Sequence, residues 1–156
     1  RSGLMGVVAD SALQAGGRVI GVIPKALVDR ELAHPNLTEL HIVEDMHQRK
    51  TLMADLADAF LAMPGGAGTL EEIFEQWTWA QLGIHHKAIA FLNVAGFYDD
   101  LLQFIALTTE KGFTQPRFNE ALISADQIED ILAKLNTYQA PAPKWNVENK
   151  PLVSAP

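Results

Sequence analysis

Apolar residues along the chain fall into two kinds of pattern. Short unbroken runs occur at 18–23 (RVIGVI), 59–63 (AFLAM) and 88–94 (AIAFLNV), with weaker ones at 40–43 and 122–124. Runs of this length without alternation suit strands covered on both faces, as in a parallel sheet. Between them lie segments with helical spacing, at 3–15, 45–57, 69–82, 98–111 and 126–135. The resulting order, α-β-β-α-β-α-β-α-β-α, predicts a doubly wound α/β fold with a parallel sheet. Such a sheet usually opens on a strand, whereas here a helix comes first, so the expectation is that a βαβ unit belongs upstream. Residues 1–138 read as one Rossmann-like nucleotide-binding domain, and 139–156, rich in Pro and polar residues, as an extended or disordered tail.

Composition narrows the function classes. Of 156 residues, 48% are apolar and 20% charged, enough for a core, and the net charge is −7. A surface of that sign repels a polyanion, so nucleic acid is not an expected partner. There is no cysteine, which removes disulfides and thiolate metal sites. No apolar run approaches the roughly 18 residues of a membrane span, and no leader is evident, so the expectation is a cytoplasmic protein without membrane contact.

One segment carries most of the chemistry. At Phe60–Glu72, FLAMPGGAGTLEE, a buried strand runs into a glycine turn and then a helix. Open α/β sheets bind ligands beyond the carboxyl ends of their strands. Gly65, Gly66 and Gly68 allow positive φ and a close backbone approach. The following helix start offers free N–H groups, which makes an anion site. No Gly-Lys-Ser/Thr follows, and Glu71 stands where a dinucleotide fingerprint has its third glycine, so a monophosphate fits better than a triphosphate or dinucleotide. The plain alternative is a tight strand–helix turn with no ligand. Thr69 and Glu72 also read as a capping box, with Thr69 as N-cap and Glu72 at N3; cap and catalyst both remain open for Glu72.

A second segment is DMHQRKTLMADL, residues 45–56, with Asp45 as N-cap and Gln48 at N3. Arg49 falls on the same face as Leu52, Met53 and Leu56, so its guanidinium is expected to point inward. There it needs an anionic partner or a route to solvent by snorkelling. Lys50, one step round, reads as a solvated or phosphate-facing charge. Trp77 and Trp79 put aromatics on two faces of the helix after the glycine loop, for core packing or for a dimer interface. Five histidines show no metal spacing; His85 and His86, beside a helix end, are expected to be exposed. No cofactor is expected.

Taken together, these blocks resemble the Lonely Guy (LOG) family, cytokinin riboside 5′-monophosphate phosphoribohydrolases, also described as lysine decarboxylases. Gly3-Leu4-Met5-Gly6 is similar to the family's GLMG, and Met46-His47-Gln48-Arg49-Lys50 to its MHxRK. Residues 64–72 fit PGGxGTxxE, and Thr78-Trp79-Ala80-Gln81-Leu82-Gly83-Ile84-His85 resembles TWAQLGIH. The likeness runs from about residue 3 to 125 and implies a Rossmann-like fold, a homodimer and a site near the subunit boundary.

By motif, the resemblance implies Arg49 and Glu72 as catalytic. It implies Glu31, Lys50, Gly65, Gly66, Ala67, Gly68, Thr69, Leu70, Glu71 and Thr78 as contacts of a nucleoside 5′-monophosphate. The implied reaction is hydrolysis of its N-glycosidic bond to free base and ribose 5-phosphate. In the family a GGG turn, preceded by a strand, a helix and a second strand, comes before GLMG; here only Arg1-Ser2 precedes Gly3. The rival from another class is a Rossmann-like carrier or sensor that binds a nucleotide without cleaving it. Decarboxylation calls for a pyridoxal phosphate lysine, for which no candidate stands out.

Overall fold

The computed structural model describes residues 3–28, 34 and 36–145. It is a mixed α/β, Rossmann-like arrangement in which every strand pairing is parallel. The elements are α1 (Leu4–Gln14), β1 (Ile20–Pro24), α2 (Lys25–Val28), β2 (Glu39–Val43), α3 (Met46–Leu56), β3 (Ala59–Ala62), α4 (Ala67–Leu82), β4 (Ala88–Leu92), α5 (Asp99–Glu110), α6 (Pro116–Glu120), β5 (Ile123–Ala125) and α7 (Ile128–Asn136). All five expected strands and all five expected helices are present, within a few residues of the predicted bounds. The short helices α2 and α6 are additions. The strands form a two-stranded sheet, β1-β2, and a three-stranded sheet, β3-β4-β5. The chain divides into two compact units at Ala57/Asp58.

In the second unit β4 is the central strand, flanked by β3 and β5, and it explains why AIAFL has no polar alternation. Its odd-numbered residues Ile89 and Phe91 join Ala62 of β3, Ile73 of α4 and Tyr98 in one core, with Trp77, Leu101 and Leu102 packed around them. The even-numbered Ala88 and Ala90 turn the other way and pack with Ile123 and Ile131 of α7. Side chains alternate across a strand, so burial on both faces demands an unbroken apolar run. Helices α4 and α5 cover one face and α7 the other, which is the doubly wound arrangement within this unit.

Residues 139–145 form no regular element, yet they are tied down. The Lys144 N–H donates to the Gln81 carbonyl at 2.7 Å, and Arg117 donates through Nε to the Ala142 carbonyl at 2.9 Å. Gly83, at φ 77°, closes α4 in the left-handed conformation, and Pro143 lies where a Gly83 Cβ would come within 2.9 Å.

The first unit holds the two-stranded sheet. β1 pairs with β2 from Ile20↔Glu39 to Pro24↔Val43, and α3 packs on β1. The side chain of Asp45 caps α3 as expected, accepting from the Gln48 N–H at 2.8 Å, while Gln48 Oε1 accepts from the Glu44 N–H at 3.1 Å. The face that α3 buries differs from the predicted stripe: Ala54 is buried, whereas Met53 and Leu56 are exposed. Among the described residues no helix is long and apolar enough to cross a membrane.

Candidate functional site

The glycine loop leaves the carboxyl end of β3 and enters α4 directly. α4 begins at Ala67, with Gly66 as N-cap at φ −98° and ψ −153°, and no side chain caps it. The capping-box expectation is therefore corrected. Thr69 is the third residue of the helix, not its cap, and Glu72 lies nearly a turn further in. A glycine N-cap is favourable in itself, so the helix starts earlier than the Thr-x-x-Glu spacing suggests. The consequence is chemical: with no side-chain cap, the first-turn amides of Ala67, Gly68 and Thr69 keep the donor capacity an anion uses.

The three glycines divide into two roles, neither of them positive φ, which none of the three adopts. Gly65 is packed: a Cβ there would collide with the Thr69 side chain, coming within 2.8 Å of its Cβ and nearer still to its hydroxyl. Gly66 and Gly68 face open space: among the described residues, nothing beyond their chain neighbours and the backbone of their own helix lies within 4 Å of an added Cβ. Glycine at the second helical position costs stability relative to Ala, and no packing need accounts for it here.

What holds the loop is a residue the sequence marks only as the start of the 98–111 helix and the end of a family-like block at 92–98. Tyr98, buried at 2% exposure, donates its hydroxyl to the carbonyl of Met63, the last residue before Pro64. Its ring packs edge-on to Phe91 at 5.1 Å, and burial pushes its phenol pKa up. Tyr98→Phe removes the donor and strands a carbonyl, so it is expected to lower stability by about 1–3 kcal/mol, read as a urea midpoint shift with unchanged slope.

Glu72 is half-buried on α4, and Glu71 is exposed. Leu70 packs its side chain against the core, and its N–H donates to the Gly66 carbonyl at 3.1 Å as the first helical bond of α4. The Thr78 hydroxyl donates to the Phe74 carbonyl at 2.8 Å, an internal helix bond that leaves its lone pairs available. In the first unit Arg49 points inward, as expected, and its Nε donates to the Val22 carbonyl of β1 at 3.2 Å. Lys50 is half-buried rather than fully solvated. Glu31 lies outside the described residues.

His86 is exposed as expected, but His85 is half-buried. Its ring stacks at 5.2 Å from Phe60, and its Nδ1 accepts from the Lys87 N–H at 3.2 Å. Burial first, and the Lys87 charge second, hold its pKa below the ordinary 6.5. A group with a depressed folded pKa binds its proton more readily when unfolded, so stability falls as pH drops below about 6.5. The fall in melting temperature between pH 7 and pH 5.5 is expected to be shallower in His85→Gln than in the wild type. Equal slopes in the two proteins would remove His85 as its source.

Among the described residues no group of three or more His, Asp and Glu side chains is placed to hold a metal ion.

Comparison with known proteins matches residues 5–135 to a family described as possible lysine decarboxylase. A cytokinin riboside 5′-monophosphate phosphoribohydrolase of Arabidopsis thaliana is 49% identical over 136 residues, covering 87% of this chain and 63% of the relative. A probable enzyme of the same description from Oryza sativa subsp. japonica is 48% identical, over 87% of this chain and 64% of the relative. One from Rhodococcoides fascians is 48% identical, over 88% and 70%. The chain thus spans a little under two thirds of the length of the plant relatives.

Proposed function

Because this chain belongs to the family described as possible lysine decarboxylase, which takes in the Lonely Guy phosphoribohydrolases, we propose that it hydrolyses the N-glycosidic bond of adenosine-type 5′-monophosphates. The products are the free base and ribose 5-phosphate. The observation that carries this reading is the uncapped start of α4 beside two glycines that open onto empty space. The relatives' activity supplies the substrate class. The amides of Ala67, Gly68 and Thr69 hold the phosphate, with Gly65, Gly66, Leu70 and Glu71 completing the loop. Lys50, Thr78 and Glu31 are further substrate contacts by motif.

The chemistry follows from the charge that develops. Departure of the base leaves an oxocarbenium-like ribose, and a carboxylate lowers the barrier by facing that positive charge or by orienting the attacking water. Glu72 takes this part. It lies five residues beyond Ala67 on the same helix, roughly 7.5 Å along the axis, a span comparable with ribose 5-phosphate. The helix that grips the phosphate thereby sets the height of the carboxylate. Arg49 offsets negative charge on the departing purine or keeps a carboxylate ionised. Binding energy from the phosphate positions the ribose, which is where a remote anchor raises rate. The enzyme works as a homodimer in this reading, on the strength of the family resemblance.

The test is direct. The protein is incubated with AMP and with N6-isopentenyl-AMP, and free base is measured by chromatography. Release from either supports hydrolysis. Nucleotide binding without release would make the protein a carrier or sensor.

A further inference from the structure

We infer that the loop after β4, residues 93–97, is the base-side wall of the nucleotide site, and that Phe97 is a specificity-determining residue for apolar substituents on the base. This rests on the nucleotide reading above. β3 and β4 are adjacent parallel strands, in register from Ala59↔Ala88 to Ala62↔Phe91. Neighbouring strands lie about 4.8 Å apart, so the glycine loop and the 93–97 loop leave the same sheet edge side by side. Ligands of open α/β sheets settle in that region.

The loop is built to present apolar groups, not to hide them. Ala95 sits at φ 52°, ψ 30°, and it is the one non-glycine residue at positive φ among the described residues. That conformation costs about 1–2 kcal/mol, and such strain persists only where the surroundings impose it. Here Asn93 imposes it. Its N–H donates to the Ala125 carbonyl at 2.8 Å; its Oδ1 accepts from the Tyr98 N–H at 2.6 Å, and its Nδ2 donates to Asp99 Oδ1 at 2.7 Å. Gly96, at φ 72°, is closed against the Asp99 carboxylate.

The outcome is a hydrogen-bonded turn with Val94 47% and Phe97 54% exposed. The Phe97 ring stands edge-on to Tyr98, centroids 4.9 Å apart at 86°. Tyr98 is the residue whose hydroxyl holds Met63 at the mouth of the glycine loop. One ring and one hydrogen bond therefore join the exposed aromatic to the phosphate loop. A pre-oriented aromatic face next to a phosphate grip suits a planar base bearing an apolar group, since ring contacts of this kind contribute affinity without demanding hydrogen bonds.

The experiment compares AMP with N6-benzyl-AMP on wild type, Phe97→Ala and Phe97→Tyr, by calorimetry and by base release. Phe97→Ala is expected to weaken N6-benzyl-AMP on the order of tenfold and AMP by under about threefold, with Phe97→Tyr restoring the preference. Parallel loss for both nucleotides, an unchanged ratio, or a change in sedimentation alone would overturn the assignment, the last making this face a contact between copies. Binding by wild type without cleavage would sink the hydrolase reading instead, and the binding ratio would still decide the role of Phe97.

Discussion

Glu72→Gln is expected to lower the turnover number for base release by a factor on the order of 10³, with nucleotide affinity within about threefold of wild type. The substitution keeps volume and shape and removes only the charge. An interaction made with the developing ribose cation, and not with the neutral ground state, is lost from kcat and spared in KM. Glu72 stands on α4, away from the first-turn amides that hold the phosphate, so binding has no reason to fail with it. Arg49→Ala is expected to reduce release comparably, while Arg49→Lys recovers little, because a guanidinium that already donates to the Val22 carbonyl through Nε is fixed in a way an ammonium is not. Single-turnover base release, alongside calorimetry with AMP, separates the two parameters. Undiminished release by both Glu72→Gln and Arg49→Ala would remove these residues from the chemistry.

Much of this architecture was legible because its causes are local. AIAFL reads as a two-sided strand since each of its residues has a buried neighbour, and Asp45 reads as a cap since its partner is three residues on. The misreadings came where the controlling atom is distant or where two local rules compete. Thr-x-x-Glu is a sound capping pattern, but Gly66 serves as N-cap ahead of it, and the helix simply starts sooner. Positive φ, expected at the glycine turn, occurs instead at helix ends and turns such as Gly83, Gly96 and Gly112. The bond from Tyr98 to the Met63 carbonyl is not legible locally, because the two residues stand 35 apart. The burial of His85 against Phe60 is hidden too, because it depends on how β3 pairs with β4. Pairing into two sheets is likewise invisible to a pattern that gives strand existence and not strand partners.

The same glycines yield the sharpest contrast between folding and function. Gly68→Ala is expected to stabilise the protein by about 0.5–1 kcal/mol and to weaken AMP binding tenfold or more. The stabilising half follows from the helix. Gly68 is the second residue of α4 and adopts no positive φ, so Ala suits its backbone and reduces the entropy of the unfolded chain. Among the described residues, the added Cβ meets nothing within 4 Å beyond its chain neighbours and the backbone of its own helix, so no clash offsets that gain. The functional half follows from the same empty space: a methyl group placed there occupies volume that a phosphate needs in order to reach the first-turn amides. Gly66→Ala is expected to behave alike in binding. Gly65→Ala is expected to behave oppositely in stability, losing about 1–3 kcal/mol. Its Cβ runs into the short, β-branched Thr69, which has no flexible end to swing aside. Thermal melts with and without AMP read both halves at once: Gly68→Ala should melt higher than wild type when free and gain less from the nucleotide. A Gly68→Ala protein that binds AMP as tightly as wild type would show that the space over the helix start is not where the phosphate sits.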